Sequence, residues 1–208
     1  MIQKITDSFY SFKPQINDYK NLAKASVLVP LIQKNSDLFL LFEVRSKHLN
    51  TSPSEISFPG GKFDTSDITL KKTAIRETCE ELGLSEDNIS VITPLNMLVT
   101  PFNMIIHPFL GTIDDYNDIN INESEVDHTF LVPLDFFINT TPKSYKHKIQ
   151  IRPCDDFPYE LIPNGKNYKF KEGVYDTLIY EYKNYVIWGI TARIIKDFID
   201  TIIDNLHL

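Results

Sequence analysis

The apolar positions of this chain fall first into strand-like runs and then into one clear helical period. Residues 25–33 (ASVLVPLIQ) and 37–44 (DLFLLFEV) are nearly unbroken apolar stretches separated by Lys34-Asn35-Ser36, the pattern of a hairpin joining two buried strands. A polar connection follows, and then residues 55–58 form a short strand ending in Pro59-Gly60-Gly61. Two adjacent glycines permit backbone angles and close approaches that a side chain forbids. From about residue 67 to 82 the period changes: Leu70, Ala74, Ile75, Thr78, Cys79 and Leu82 recur at helical spacing, and Gly83 supplies the stop.

Beyond this helix the sequence predicts strands over 91–99 and 104–112, then a solvated acidic loop over 114–125. A strand at 130–133 leads into a helical turn through Asp135 and Phe136. Residues 153–182 are rich in Pro, Tyr and Lys, with strands expected near 159–163 and 176–182. An amphipathic helix closes the chain from Ile187 to about Leu206, with Ile190, Ile194, Ile195, Phe198, Ile199 and Ile202 on its apolar face. No internal repeat or low-complexity linker divides the sequence. Short strands mixed with two clear helices indicate an α+β fold with a mixed sheet packed between helices, in one domain covering residues 1–208.

Composition narrows the partners. The chain has 208 residues, and 42% apolar content with 12% aromatic content is ample for one core. Its net charge of -7, from 28 acidic and 21 basic side chains, provides no global positive field for a nucleic-acid polymer or an anionic membrane surface. The N-terminus lacks the apolar core of a signal peptide, and no stretch approaches the roughly 18 consecutive apolar residues of a spanning helix. Cys79 and Cys154 have no metal-ligand spacing, which favours a reducing compartment. The expectation is a cytoplasmic protein, or one whose targeting signal lies outside this sequence, with monomer and homodimer both open.

The chemistry concentrates on Arg76-Glu77-Thr78-Cys79-Glu80-Glu81-Leu82-Gly83. On a helix, Glu77 lies three residues from Glu80 and four from Glu81, so the three carboxylates converge on one region of surface. Unpartnered, such like charges cost helix stability, whereas a hard divalent cation with oxygen ligands makes the same cluster favourable. Arg76 can hold one carboxylate in a fixed fork. The bland alternative is a solvated acidic face paired with Lys71 and Lys72, which is what most charge runs are. The glycine loop, the apolar helix face and the terminal glycine, each at fixed offset, weigh against it.

The string resembles the Nudix box, G-x5-E-x7-R-E-U-x-E-E-x-G-U with U apolar, over about residues 61–84. Thr78 takes the first U position, Gly61 lies fifteen rather than fourteen residues before Arg76, and the early glutamate is absent, with Asp67 the nearest acidic substitute. Upstream, Leu41-Phe42-Glu43-Val44-Arg45-Ser46 and Phe58-Pro59-Gly60-Gly61 are similar to the pattern L-L-T-x-R-[SA]-x3-R-x3-G-x3-F-P-G-G of the coenzyme A diphosphatase branch. Glu43, Asn50 and Ser54 stand where that pattern has Thr, Arg and Gly. Downstream, the segment from Ile187 to Ile194 is similar to the branch's I-W-G-x-T-A-R-I, and Glu125-Val126 with Val132-Pro133-Leu134-Asp135 to its E-V and V-P-L-[DE].

The resemblance implies a Nudix α/β/α sandwich and metal-dependent hydrolysis of a diphosphate, with coenzyme A or a derivative as the substrate. It implies that Glu80 and Glu81 ligate Mg2+ or Mn2+, that Glu77 ligates metal or activates water, that Arg76 orients Glu77, and that a Gly60 or Gly61 carbonyl completes the coordination. Arg45, Ser46, Gly60 and Lys62 become substrate-binding candidates, with Lys47 and His48 as further nearby cations. The general base stays open between Glu77 and a loop acid, Glu123 or Glu125. Trp188 reads equally as a packing residue or a substrate contact. The alternatives are another nucleoside diphosphate derivative, such as ADP-ribose, NADH or a diadenosine polyphosphate, or a nucleotide-binding module without turnover.

Overall fold

The computed structural model describes residues 1–14 and 16–206. In chain order the elements are α1 (Ile2–Phe9), β1 (Ala23–Lys34), β2 (Asp37–Arg45), β3 (Ile56–Ser57), β4 (Gly60–Lys62), α2 (Leu70–Leu82), β5 (Ile89–Pro94), β6 (Leu98–Val99), β7 (Met104–Ile113), β8 (Val126–Pro133), α3 (Leu134–Asn139), β9 (Lys143–Gln150), β10 (Glu172–Tyr182), β11 (Tyr185–Trp188) and α4 (Gly189–Leu206).

The expected hairpin is present. Its strands pair with Leu31 opposite Leu40 and Lys34 opposite Asp37, and Asn35 takes the left-handed conformation that the tight turn requires. Strand β1 lies centrally in an eight-stranded mixed sheet, antiparallel to β2 and β4 and parallel to β7 from Ala23↔Met104 to Leu31↔Thr112. β2 in turn pairs with β3 and β8, while β5 and β6 pair with β7.

Side chains alternate across a strand, so the apolar run of β2 serves two cores. Leu40 and Phe42 join Ile194, Ile195, Phe198 and Ile199 of α4 in one cluster. Leu41 joins Ile32 and Leu82 of α2 in another. The sheet is therefore sandwiched between α2 and α4, as an α/β/α arrangement demands. Phe42 stacks on Phe58 and Phe130 with ring centroids 4.8 and 5.5 Å apart, fixing the glycine-bearing β3–β4 segment to the central strands.

Four expectations need correction. The single strand expected over 91–99 is two, β5 and β6, because Pro94 ends the first. The strand expected at 159–163 is a 3-10 turn over Tyr159–Leu161. The closing helix begins at Gly189, since Tyr185–Trp188 pairs with β10 as β11. The acidic loop docks on the end of α2: the Asn120 and Asn122 amides donate to the Leu82 and Glu81 carbonyls at 2.9 Å each, satisfying two acceptors that the helix terminus leaves free. Strand β9, a run of KSYKHKIQ with no buried position, has no apolar periodicity to betray it. It forms a separate three-stranded sheet with β10 and β11.

Candidate active site

The site is built where the β3–β4 glycine segment passes over α2. Helix α2 starts at Thr69, whose hydroxyl accepts from the Lys72 amide, and stops at Gly83 in the left-handed conformation. Between β4 and α2 the chain makes a 3-10 turn over Thr65–Asp67. There the Asp64 carboxylate accepts from the Ser66 amide, and Asp67 reaches back to the Asp64 amide. Ile68 then adopts φ +65° with its side chain in solvent, which is how the connection one residue longer than the box pattern is absorbed.

Asp67 is buried and holds Arg76 in a two-pronged grip, Nε to Oδ1 at 2.7 Å and Nη2 to Oδ2 at 3.0 Å. The Thr73 hydroxyl also donates to Oδ2, at 2.9 Å. These bonds hold the Asp67 carboxyl far below the usual carboxylate range, the Arg76 guanidinium being the main cause, and they raise Arg76 above its already high value. So fixed, Arg76 donates from Nη2 to Glu77 Oε1 at 2.7 Å and from Nη1 to Glu80 Oε2 at 2.9 Å. One guanidinium thus gathers three carboxylates.

Glu77 lies half-buried against Gly61. A Cβ added at Gly61 would overlap the Glu77 carboxylate, 2.6 Å from Oε1, so any larger residue there displaces that carboxylate. Burial raises the Glu77 carboxyl, against the lowering effect of Arg76. Glu80 points outward with its side chain half in solvent. Glu81 is 3% exposed; its Oε2 accepts the Gly60 amide at 2.8 Å, and Arg45 Nη1 stands 3.9 Å from its Oε1. Beside it on β2 is Glu43, wholly buried, with Oε1 accepting from the Ser57 hydroxyl at 2.9 Å and Oε2 without a hydrogen-bond partner. Both carboxyls are pushed up, by burial first, and Glu81 further by the charge of Glu43.

Arg45, Gly60, Gly61, Arg76, Glu77, Glu80 and Glu81 therefore meet in one place. Ser46 does not join them: it is buried, and its amide donates to the Glu125 carbonyl at 2.8 Å, anchoring the loop. Lys62, Lys47 and His48 are exposed and, among the described residues, form no ion pair with these carboxylates. Of the two loop acids, the charge of Glu125 reaches both Glu43 and Glu77, whereas Glu123 is exposed. Ser54 takes φ +61°, which accounts for glycine at that place in the branch pattern.

Two residues escaped the sequence reading of the site. Asp67 looked like an imperfect substitute for a box glutamate but is the anchor of Arg76. In the sequence Glu43 stands out only as a replacement for the threonine of the branch pattern. Its signal was a charge at an inward-facing position of an apolar strand. Trp188 is half-exposed and lines a cleft of about 510 Å³ with Glu55, Ile56, His147, Lys148 and Tyr175, so it is not a core residue. This cleft adjoins the carboxylates through β3: the Thr191 hydroxyl donates to the Ile56 carbonyl, and Ser57, next along, holds Glu43.

Among the described residues, no three acidic, His or Cys side chains are already gathered around one point. Glu77 and Glu80 are turned to Arg76, and Glu81 to Gly60. The donor set is nonetheless all oxygen, rich in negative charge and includes an orphaned buried carboxylate oxygen, which fits a hard divalent cation.

Residues 22–159 match the NUDIX domain. The chain belongs to the Nudix family. It is 36% identical over 172 residues to mouse peroxisomal coenzyme A diphosphatase NUDT7, covering 82% of this chain and 66% of that protein. It is 34% identical over 129 residues to human mitochondrial coenzyme A diphosphatase NUDT8, covering 60% of this chain and 54% of that protein. The chain thus spans just under two thirds of the length of the first and about half that of the second. It is 26% identical to the uncharacterized Nudix hydrolase NudL of an Enterobacter strain, over 91% of this chain and 88% of that protein. A solved MutT/nudix family protein from Enterococcus faecalis overlays 98% of this chain and 70% of its own at a TM-score of 0.51 and 14% identity, a likeness of fold alone.

Proposed function

We propose that this Nudix hydrolase cleaves the diphosphate of coenzyme A or a close derivative, giving 3',5'-ADP and 4'-phosphopantetheine or its acyl form. Glu77, Glu80 and Glu81 would hold Mg2+ or Mn2+, with a Gly60 or Gly61 carbonyl as a further donor. The observation that carries the reaction is the single guanidinium of Arg76, itself locked by Asp67, meeting both Glu77 and Glu80. That arrangement fixes two carboxylates of a cluster that would otherwise splay apart by repulsion, and fixed ligand geometry is what catalysis of this kind demands. Bound divalent cations neutralise the anionic diphosphate and lower the pKa of the attacking water.

The residues of the chain divide the remaining work. Glu77, half-buried and raised by that burial, is the group best placed to take the proton of water, with the loop acid Glu125, whose charge reaches it, as the second candidate. Arg45, beside Glu81 and partly open to solvent, meets an oxygen of the diphosphate. The cleft beside Trp188 receives one arm of the substrate. Support for coenzyme A comes from the two named diphosphatase relatives and from the segments around Arg45 and Trp188.

A panel assay with Mg2+ and Mn2+ tests the reading, with coenzyme A, acyl-coenzyme A, ADP-ribose, NADH and a diadenosine polyphosphate as substrates and chromatographic detection of products. Coenzyme A and its thioesters should be cut with the highest kcat/KM. If coenzyme A survives while another member of the panel is cut efficiently, the substrate assignment fails and only the general hydrolysis stands.

A further inference from the structure

Strand β2 places an acid between Phe42 and Val44, at the end of an otherwise apolar run. By strand alternation Glu43 shares its face with Leu41, which packs towards α2, rather than with Leu40 and Phe42. It is 0% exposed. Ser57 lies directly opposite it across the β2–β3 pair and holds Oε1 at 2.9 Å. Oε2 has no hydroxyl, amide or cationic partner, and the carboxyl group lies within hydrogen-bonding reach of the Glu81 carboxyl, so a proton on either can be shared between them. A buried acid kept for structure alone should have both oxygens satisfied. Here one oxygen is fixed by Ser57 and the other has only a second buried carboxyl for company, with Arg45, 3.9 Å from Glu81, as the cation at hand. The arrangement lacks positive charge.

We propose that Glu43 is a positioning residue of the divalent-cation site: held by Ser57, it sets the Glu81 carboxylate from behind and adds negative charge to the donor set, strengthening cation binding. The branch pattern has threonine here, so this carboxylate is an addition to the shared box. The proposal rests on the reading of Glu77, Glu80 and Glu81 as cation ligands. Glu43 itself touches Glu81 rather than substrate, so its effect appears in cation affinity before it appears in chemistry.

The test is calorimetric titration of Mn2+ into the wild-type protein, Glu43→Gln and Glu43→Thr, with thermal melts of each with and without Mn2+. Glu43→Gln keeps the shape and the Ser57 contact, and its amide can donate to Glu81, so the metal-free protein should melt at or above the wild-type temperature. Its Mn2+ affinity should fall about tenfold or more, and the Mn2+-induced rise in Tm should shrink with it. Glu43→Thr should lose affinity similarly, which separates charge from amide geometry. Mn2+ affinity within twofold of wild type in both variants would overturn the proposal while leaving the box ligands standing. So would metal-free melting about 10 °C or more below wild type in both, which makes Glu43 a structural support. Failure of the wild-type protein to bind millimolar Mn2+ sinks the ligand reading as well.

Discussion

Asp67 offers the most direct test of how the site is held. Its carboxylate accepts four hydrogen bonds: two from Arg76 at 2.7 and 3.0 Å, one from the Thr73 hydroxyl at 2.9 Å and one from the Asp64 amide at 3.2 Å. Hydrogen bonds to charged groups are worth about 1.5–3 kcal/mol each but do not add, and removing one partner of a fully buried ion pair costs about 3–5 kcal/mol. Arg76 keeps Glu77 and Glu80 and is partly exposed, which places Asp67→Ala near the lower end, at about 2–3 kcal/mol. For a domain of this size that corresponds to a fall in Tm of about 4–12 °C. Asp67→Asn preserves the shape and an acceptor for Thr73 and should lose about half as much.

Activity should suffer more than stability. With its anchor gone, Arg76 no longer presents Glu77 and Glu80 in register, and kcat should drop about 10–100-fold, the usual penalty for losing the outer partner of a site. The pH dependence has a definite sign. Asp67 is depressed in the folded state, so its contribution is fully present above the ordinary aspartate value of 3.8 and is lost as pH falls through the lower folded value. The gap in stability between wild type and Asp67→Asn should be flat from about pH 6 to 8 and close only below about pH 4. Melts across that range, with kcat measured on the substrate that responds best, decide it. An Asp67→Ala protein within 0.5 kcal/mol and threefold of wild type would refute the anchoring argument.

Other substitutions separate the roles of neighbouring residues. Glu81→Gln should lose kcat by orders of magnitude and weaken Mn2+ binding in calorimetry without unfolding the protein, since glutamine keeps the shape and an acceptor for the Gly60 amide; unaltered turnover refutes its place in the site. Gly61→Ala pushes a methyl group into the Glu77 carboxylate, so kcat should fall at least about tenfold while circular dichroism stays native. Ser54→Gly relieves a left-handed backbone, φ +61°, and should raise stability by up to about 1 kcal/mol in a denaturant melt.

The elements with strong periodicity were legible from sequence: the β1–β2 hairpin, α2 with its glycine stop, and the apolar face of α4. Each carries a local signal that tertiary packing reinforces. Strand β9 was not legible, because, as the exposed outer strand of the three-stranded sheet, it buries no alternate face. The β11–α4 boundary was missed for the opposite reason: Ile187 is buried as a strand residue, yet it also fits the helical apolar period that follows. Within the site, Arg76, Glu77, Glu80 and Glu81 could be read from spacing on one helix. Asp67 and Glu43 could not, since their roles depend on contacts across the sheet and across a turn whose geometry no local spacing encodes.

Seen together, the charges of the site explain why the cluster tolerates its own repulsion. Five carboxyl groups, Glu43, Asp67, Glu77, Glu80 and Glu81, share two guanidinium groups, Arg45 and Arg76. Arg76 is committed to Asp67, Glu77 and Glu80, which leaves the buried pair Glu43 and Glu81 with only the distant side of Arg45. Fully ionised, the cluster has an excess of three negative charges, one more than a single divalent cation offsets. Without a cation the least costly state keeps protons on the buried pair, the direction in which burial drives both groups. Binding a cation would have to displace those protons, so apparent affinity should climb with pH until the pair is ionised. Glu81, pinned by the Gly60 amide, is the buried fixed point of the cluster, and Glu80, half in solvent, is held to the cluster through Arg76.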